Sequence, residues 1–408
     1  MYDWAVLWEW VEIAARWTHV ITAIAWIGSS FYFIALDLGL RKSPDLPAGA
    51  YGEEWQVHGG GFYHIQKYLV APARLPEHLI WFKWESYATW LSGFVMLVLV
   101  YYLGSELYLI DPQVMALTTW QAVAISVASL AFGWAVYTTI CRVFVNANQT
   151  AVMVALFGVL VVMAWGYTHV FSGRAALIHL GAFTATIMSA NVFMVIIPNQ
   201  KIVVADLKAG RVPDPKYGRI AKQRSTHNNY LTLPVLFLML SNHYPLVFAT
   251  EFNWLIASLV FLMGVTIRHW FNTQHAGKGS PHWTWGVTVL LFLIIAWLST
   301  ASMRHVDDTA MNGEALVYAS AEGFDDVVGI VQGRCSMCHA AEPGWEGMHW
   351  PPKGVVLETP AQIAHEARRI YMQAGITHAM PPANLSYIEA EERARIVDWF
   401  RGAGGVDG

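Results

Sequence analysis

The sequence predicts an all-α protein in which an eight-helix transmembrane bundle precedes a small soluble domain. Three observations predict this class. Of the 408 residues, 55% are hydrophobic and only 13% are charged, whereas about a quarter of an ordinary soluble domain is charged. The apolar residues are concentrated before residue 303, and the residues from 303 to 408 are polar. Two of the three cysteines lie in one pentapeptide of that polar part.

The composition also excludes several classes of protein. The net charge of −4 leaves no basic surface for nucleic acid. Three cysteines are too few for a disulfide scaffold. No Lys or Arg precedes Arg16, so the first apolar run lacks the basic region of a cleaved signal peptide.

Eight apolar runs of about 20 residues are each long enough to cross a bilayer. Their centres are almost free of charge, and Trp and Tyr cluster at their ends, as in interfacial belts. A soluble bundle of eight buried helices is the alternative, and uncharged runs of this length argue against it. The predicted spans lie at 10–36, 86–104, 119–141, 150–171, 175–197, 230–248, 253–271 and 283–302.

The basic residues of the loops predict the orientation of the bundle. Nearly all loop Lys and Arg fall in the first, third, fifth and seventh connections, and the even connections hold Arg174 alone. Cytoplasmic loops carry the excess of positive charge. The N-terminus and, after eight crossings, the C-terminus are therefore expected outside the cytoplasm.

The pentapeptide Cys335-Ser-Met-Cys338-His339 matches the attachment motif of c-type haem. Its two thiols are spaced to add to two vinyl groups of one porphyrin, and His339 follows as an axial ligand. A zinc half-site or a thioredoxin-type dithiol is the alternative, but further ligands or a βαβ context are not visible. Met380 is the expected sixth ligand, with His378 and His365 as alternatives.

The run from Met380 to Trp399 resembles the end of a class I cytochrome c, with a helix expected to start near Ser386. The sequence thus divides into a membrane domain at 1–302, a linker at 303–314 and a cytochrome c domain at 315–408. Covalent haem attachment takes place outside the bacterial cytoplasm, which agrees with the orientation predicted from the loop charges.

Four histidines are expected in the outer halves of the predicted membrane helices. Ionisable residues inside a membrane are costly and often functional, and two facing imidazoles are the usual way for a bundle to hold haem. Packing or proton transfer is the alternative role. The candidate b-haem ligands are His19, His169, His179 and His243.

The first cytoplasmic loop is long and combines histidines with a Gly-Gly-Gly run. Gly59–Gly61 permit either a tight turn or a hinge. The segments 62–70 and 79–85 are expected to be short strands, with a hairpin as the expected pairing. Before the sixth span, the chain has an uncommonly polar segment at 225–230.

These motifs together resemble the N-terminal domain of the bacterial membrane-bound urate oxidase (urate hydroxylase) family, whose members carry a C-terminal cytochrome c. The resemblance covers nearly the whole chain, in the family's order. It is carried by His58–Tyr63, Trp81–Tyr87, Asn191–Phe193 with Pro198-Asn199, His227–Leu233 and Ser241–Pro245.

The resemblance implies oxidation of urate to 5-hydroxyisourate in purine degradation, in a multi-pass protein of the bacterial inner membrane with a periplasmic cytochrome c domain. Electrons would pass to the c-haem and on to a respiratory acceptor, such as a cytochrome c or a terminal oxidase. The composition by itself indicates only an integral membrane redox protein. A b/c-type cytochrome that oxidises a quinol or another small donor, and a non-enzymatic anchor for cytochrome c, remain alternatives.

Urate is an anion at neutral pH, and we expect it on the cytoplasmic side. A cation would attract it, amides would read its edges, and a carboxylate or imidazole would take its proton. The catalytic candidates are Glu85, His227 and Lys67, and the substrate-binding candidates are His64 and Asn229. Solvated loop charges and interfacial hydrogen bonds are the alternative reading of these residues.

Overall fold

A computed structural model describes residues 4–404, except 69–71, 73–74, 113, 145–148, 302–310, 312, 347 and 349. The described chain is mostly helical. Its buried apolar side chains form a large core within the first 301 residues and a separate core in the C-terminal part, residues 313–404. The predicted linker falls largely outside the described residues.

The first 301 residues form helices and one two-stranded sheet. Helix α2 continues as a π-helical turn over Leu97–Tyr102, and α6 continues as another over Asn191–Ile196. In chain order the elements are α1 (Trp4–Gly39), β1 (Ala50–His58), β2 (Gly61–Tyr68), α2 (Trp84–Met96), α3 (Ser105–Tyr108), α4 (Thr119–Val143), α5 (Gln149–Thr168), α6 (Gly173–Ala190), α7 (Ile197–Lys208), α8 (Pro215–Ser241), α9 (Pro245–Phe248), α10 (Asn253–His275) and α11 (Trp283–Ala301).

A helix lies at each of the eight predicted spans, and within the described residues six helical segments are long and apolar enough to cross a membrane. The π-helical turn interrupts α2, and the first half of α8 is polar. Crossing by these two helices therefore stays a prediction. The six segments are Val6–Gly39, Thr119–Val143, Gln149–Thr168, Gly173–Lys208, Asn253–His275 and Trp283–Ala301.

Helix α6 lies in the middle of the bundle and packs against α4, α5 and α8. Most of its side chains between Ala175 and Ser189 are buried. Small residues allow the close approach of its neighbours. At Gly133 of α4, for example, an added methyl group would overlap the ring of Phe183. A helix that is apolar all round is expected at the centre of such a bundle.

The strands β1 and β2 form an antiparallel hairpin, in which His58 pairs with Gly61. The two turn residues have positive φ, 62° at Gly59 and 80° at Gly60, a conformation that favours glycine in two-residue hairpins. The tight turn is thus confirmed. The predicted strand at 79–85 was wrong, because the partner of β2 is the preceding segment, and α2 already begins at Trp84.

The C-terminal part has six helices among its described residues: α12 (Gly313–Ala319), α13 (Phe324–Arg334), α14 (Ser336–His339), α15 (Pro360–His365), α16 (Ala367–Ile370) and α17 (Ala390–Gly402). Stacked rings of Tyr318, Tyr371 and Phe400 fill its core. The helix expected near Ser386 begins only at Ala390. Glu389 is its N-cap residue. The side chains of Glu389 and Glu392 each accept a hydrogen bond from the other residue's backbone amide and so form a capping box.

The C-terminal part contacts the bundle at the end where α1 begins. Arg368 pairs with Glu9 at 3.6 Å, and Val6 packs against the C-terminal core. At the other end of α1, Asp37 lines a cavity. With a rise of 1.5 Å per residue, the 28 residues from Glu9 to Asp37 separate these two regions by about 42 Å.

Candidate functional site

Helix α8 carries a layer of buried polar side chains into the apolar bundle. Asp214 caps its N-terminus by accepting a hydrogen bond from the Lys216 amide. The helix then places Arg224, His227 and Asn228, spaced i, i+3 and i+4, on one face, and Asn229 on another. All four are buried. Buried polar groups within a membrane bundle require partners.

The first face of α8 meets α4 and α6 in a hydrogen-bonded group that we call the Arg224 cluster: Tyr137, Asn191, Arg224, His227 and Asn228. The Tyr137 hydroxyl lies 2.8 Å from His227 Nδ1 and accepts from Asn191 Nδ2 at 3.0 Å. Asn191 Nδ2 also donates to Asn228 Oδ1 at 2.9 Å. Asn191 begins the π-helical turn, a distortion often found at functional sites.

The hydrogen bonds of His227 define its tautomer. Its Nε2 lies 3.2 Å from Gln149 Oε1, an amide oxygen that only accepts. Nε2 therefore carries the hydrogen, and Nδ1 accepts from the Tyr137 hydroxyl. The Tyr137 oxygen in turn accepts from Asn191, so the chain of donors runs from Asn191 through Tyr137 and His227 to Gln149. Gln149 is exposed at the start of α5.

Three atoms of the Arg224 cluster are buried without a hydrogen-bond partner. They are Nε and Nη1 of Arg224 and Oδ1 of Asn191. The guanidinium carbon of Arg224 lies 4.8 Å from the centroid of the Tyr137 ring, and Asn191 donates to the hydroxyl of the same residue. The two unpartnered donors and the one unpartnered acceptor therefore belong to two residues that both contact Tyr137.

The second face of α8 forms a separate polar group with α10. Arg268 donates through Nε to Asn229 Oδ1 at 3.3 Å and through Nη2 to Asn272 Oδ1 at 3.1 Å. Asn272 also donates to Asn229. A cavity of about 150 Å³ adjoins this group; it is lined by Ile34, Asp37, Leu38, Lys222, Ser225, Thr226, Asn229, Tyr230 and Asn272.

The structure separates the five predicted substrate residues. His64 lies on β2, bonded to Glu53 at 2.7 Å and stacked on Trp55. Lys67 forms an ion pair with Asp37 at the rim of the cavity.

Glu85 lies in the first turn of α2, and its buried Oε2 has no partner. His227 and Asn229 are neighbours in sequence but take part in different polar groups. The five candidates therefore do not form one site.

The sequence prediction gave no site role to the residues that accompany His227. Arg224 was counted only as a loop charge, although its i, i+3, i+4 spacing with His227 and Asn228 marks one helix face. Tyr137 gave no signal, because a tyrosine in an apolar helix is ordinary.

The four candidate b-haem histidines have different neighbours. His19 Nδ1 lies 3.1 Å from both the Thr89 carbonyl and Ser92 Oγ. His179 is fully buried among Tyr101, Tyr167 and Phe171, and its Nε2 has no partner.

The expectation that all four lie at one depth inside helices was wrong for the other two. His169 follows the end of α5 and His243 follows the end of α8, and both are exposed. Of the four candidate b-haem histidines, His19 and His179 are thus the two that face the interior of the bundle.

The C-terminal motif has the donor set that a covalently bound haem needs. Cys335, Cys338 and His339 lie on and beside α14. His339 Nδ1 donates to the Val355 carbonyl at 2.9 Å, which leaves Nε2 for an iron. Burial raises the pKa of the Cys335 thiol to about 11.

The backbone around Met380 is held from two sides. The Met380 amide donates to the Gln373 carbonyl at 2.9 Å. The Met380 carbonyl accepts from Arg393 at 2.9 Å. Within the described residues, no three His, Cys, Asp or Glu side chains group as a metal site. His339 and Met380 therefore stay the predicted axial ligands of the haem.

Long apolar helices around a buried polar layer are typical of a multi-pass membrane protein with a functional interior. The chain matches the family model of the urate oxidase N-terminal domain over residues 5–299. It therefore belongs to this family. No curated protein and no solved structure matches the chain.

Proposed function

We propose that this protein oxidises urate to 5-hydroxyisourate and transfers the electrons through a covalent c-haem on its C-terminal part to a respiratory acceptor. The observation that supports this best is the buried Arg224 cluster within the urate oxidase N-terminal region. The haem-attachment motif lies in the C-terminal part, and a haem bound there would accept the electrons.

The reaction adds one water to urate and releases two electrons and two protons. A base must take a proton from the ring, and the Tyr137–His227 pair is arranged to do so. The Tyr137 oxygen accepts a proton while its own hydroxyl hydrogen passes to His227 Nδ1, along the existing 2.8 Å hydrogen bond. General bases contribute to catalysis when they lie within hydrogen-bond reach.

Cys335 and Cys338 would hold the haem covalently, with His339 and Met380 as its axial ligands. When bound, this group supplies one-electron acceptance, at a potential that a methionine ligand raises. The hydrogen bond from His339 to Val355 orients the imidazole, and Arg393 supports the loop that presents Met380.

The long distance between the two ends of the bundle requires an intermediate electron carrier. The polar layer of α8 is near the end of α1 that bears Asp37, about 42 Å along the helix from the contact with the C-terminal part. His179 and His19 stay the candidates for an internal b-haem or another relay. The orientation with the C-terminal part outside the cytoplasm stays part of this proposal.

Anaerobic addition of urate to the purified full-length protein tests the proposal. We expect urate to produce the absorption bands of reduced c-haem, and a second set of b-type bands if an internal haem is present. Buffer without urate is the control. Reduction by a quinol but not by urate would replace the proposal with a b/c-type cytochrome, and no reduction by either would leave a membrane anchor.

A further inference from the structure

Arg224 is a buried arginine of the polar layer whose neighbours include the neutral side chains of Tyr137 and Cys141, and it has no carboxylate partner among the described residues. It is 6% exposed, and two of its nitrogens have no partner. An unpaired buried charge is costly, and more so within an apolar bundle. Arg268, 5% exposed on the other face of α8, instead donates to two asparagine oxygens.

The unpartnered atoms form a complementary set. Arg224 offers two N–H donors in the planar arrangement that recognises two acceptors side by side. Asn191 offers one acceptor, Oδ1. An anionic heterocycle that displays acceptors on one edge and a ring N–H beside them would satisfy all three atoms. Both residues contact Tyr137, because the Arg224 guanidinium lies over its ring and Asn191 donates to its hydroxyl.

We propose that the Arg224 cluster is the binding site for a planar heterocyclic monoanion, whose charged edge is bound by Arg224 and whose ring N–H donates to Asn191. This inference rests on the proposed function and extends it, because it assigns the urate charge to Arg224 and not to Lys67, which is already paired with Asp37. The ligand would then lie beside the Tyr137–His227 pair that takes its proton.

One side chain links the Arg224 cluster to the exposed start of α5. Gln149 accepts from His227 Nε2 and is exposed at the first residue of α5. We expect an anion to reach the cluster from this end, past Gln149.

Equilibrium binding to full-length protein in detergent provides the test, with radiolabelled urate and with barbiturate, a planar heterocyclic anion, as probes. Arg224→Gln should weaken binding about 100-fold, because it removes a charge-assisted, two-bond contact. Arg268→Gln is the matched control, since it removes an equally buried arginine from the other face of α8. It should keep the wild-type affinity.

Thermal stability provides an independent readout. Without ligand, Arg224→Gln should melt above the wild type because it removes an uncompensated buried charge, whereas Arg268→Gln should melt below it. Added urate should raise the melting temperature of the wild type and not that of Arg224→Gln.

The outcomes separate this inference from the proposed function. Loss of barbiturate binding in Arg224→Gln, in a protein that never binds urate, would support the anion site and overturn the urate proposal. Unchanged affinity in Arg224→Gln, or loss of affinity only in Arg268→Gln, would overturn the Arg224 site while urate oxidation stands. Failure of the wild type to bind either anion would overturn both.

Discussion

At the residue scale, His227 shows how its neighbours determine what one side chain can do. In contrast to the exposed histidines of this chain, His227 is 1% exposed and bonded at both ring nitrogens. Because Gln149 only accepts from Nε2, the lone pair of Nδ1 faces Tyr137. A proton that reaches His227 must therefore come through the tyrosine.

Replacement of His227 by alanine tests this role. We expect His227→Ala to lower the kcat of urate oxidation about 100-fold, the ordinary contribution of a positioned base, with a smaller change in urate affinity. The readout is the rate of haem reduction after urate is mixed with the protein. His282→Ala, which changes an exposed histidine outside the cluster, should retain the wild-type rate. Equal rates in the two variants would contradict the relay.

At the element scale, close contacts between helices hold the polar layer in place. Helix α6 brings Asn191 to the cluster, and its position depends on contact with α4, which bears Tyr137. Gly133 makes this contact possible, because no side chain separates α4 from the ring of Phe183. The geometry of the cluster therefore depends on a glycine four residues, or about one turn, away from Tyr137.

We expect Gly133→Ala to lower the free energy of unfolding by about 1–3 kcal/mol, the typical cost of overpacking. Gly158→Ala is the control in the neighbouring helix α5, since an added methyl group meets no atom there. It should leave stability equal or raise it by up to about 1 kcal/mol. Thermal unfolding in detergent compares the two, and equal loss in both would show that α4 and α6 are not in tight contact.

The contact between α12 and α3 should depend on pH. Burial raises the pKa of Glu314, and the nearby carboxylate of Glu106 raises it further, while Arg368 and His365 lower it. A carboxyl whose pKa is raised in the docked state favours docking when protonated. That contribution is complete below the ordinary glutamate pKa and is lost as the pH rises through the raised value.

Acidification from about pH 7 toward pH 4 should therefore protect Ser105–Tyr108 from hydrogen exchange, after correction for the intrinsic effect of pH on exchange. Glu314→Gln should show the same protection at every pH, because it mimics the protonated form. Glu322→Gln, which changes an exposed glutamate of the same region, should behave as the wild type. Protection that increases with pH would contradict this account.

At the scale of the whole molecule, the proposed function assigns different steps to the two ends of the bundle. The polar layer of α8 lies toward one end, and the C-terminal part with its haem-attachment motif lies at the other. Substrate binding and electron exit are therefore expected to be separable. A change in the C-terminal motif should stop electron transfer without changing the interior of the bundle.

We expect Cys338→Ala to lose covalent haem and urate-dependent reduction but to bind urate with wild-type affinity. Haem staining of a denaturing gel measures the first property, and equilibrium binding measures the last. Cys141→Ser, which changes a cysteine in α4 far from the motif in sequence, should still stain for haem. Haem staining of Cys338→Ala at the wild-type level would contradict the attachment proposed here.

The sequence by itself predicted the elements that depend on local pattern. A bilayer demands long uncharged helices, so the six spans that the structure supports were readable from composition, whereas the Gly-Gly-Gly run left a tight turn and a hinge equally open. The family match covers residues 5–299. The partner of β2 was missed because pairing depends on another segment and not on the strand alone.

Only the tertiary structure decided which polar residues meet. Arg224, His227 and Asn228 share a helix face through a spacing that is visible in the sequence, but Tyr137 and Asn191 reach them from other helices. The same packing sends His64, Lys67 and Glu85 elsewhere. Helix periodicity is a local property, whereas a site between helices depends on how those helices pack, and this is why the sequence predicted the membrane class but not the cluster within it.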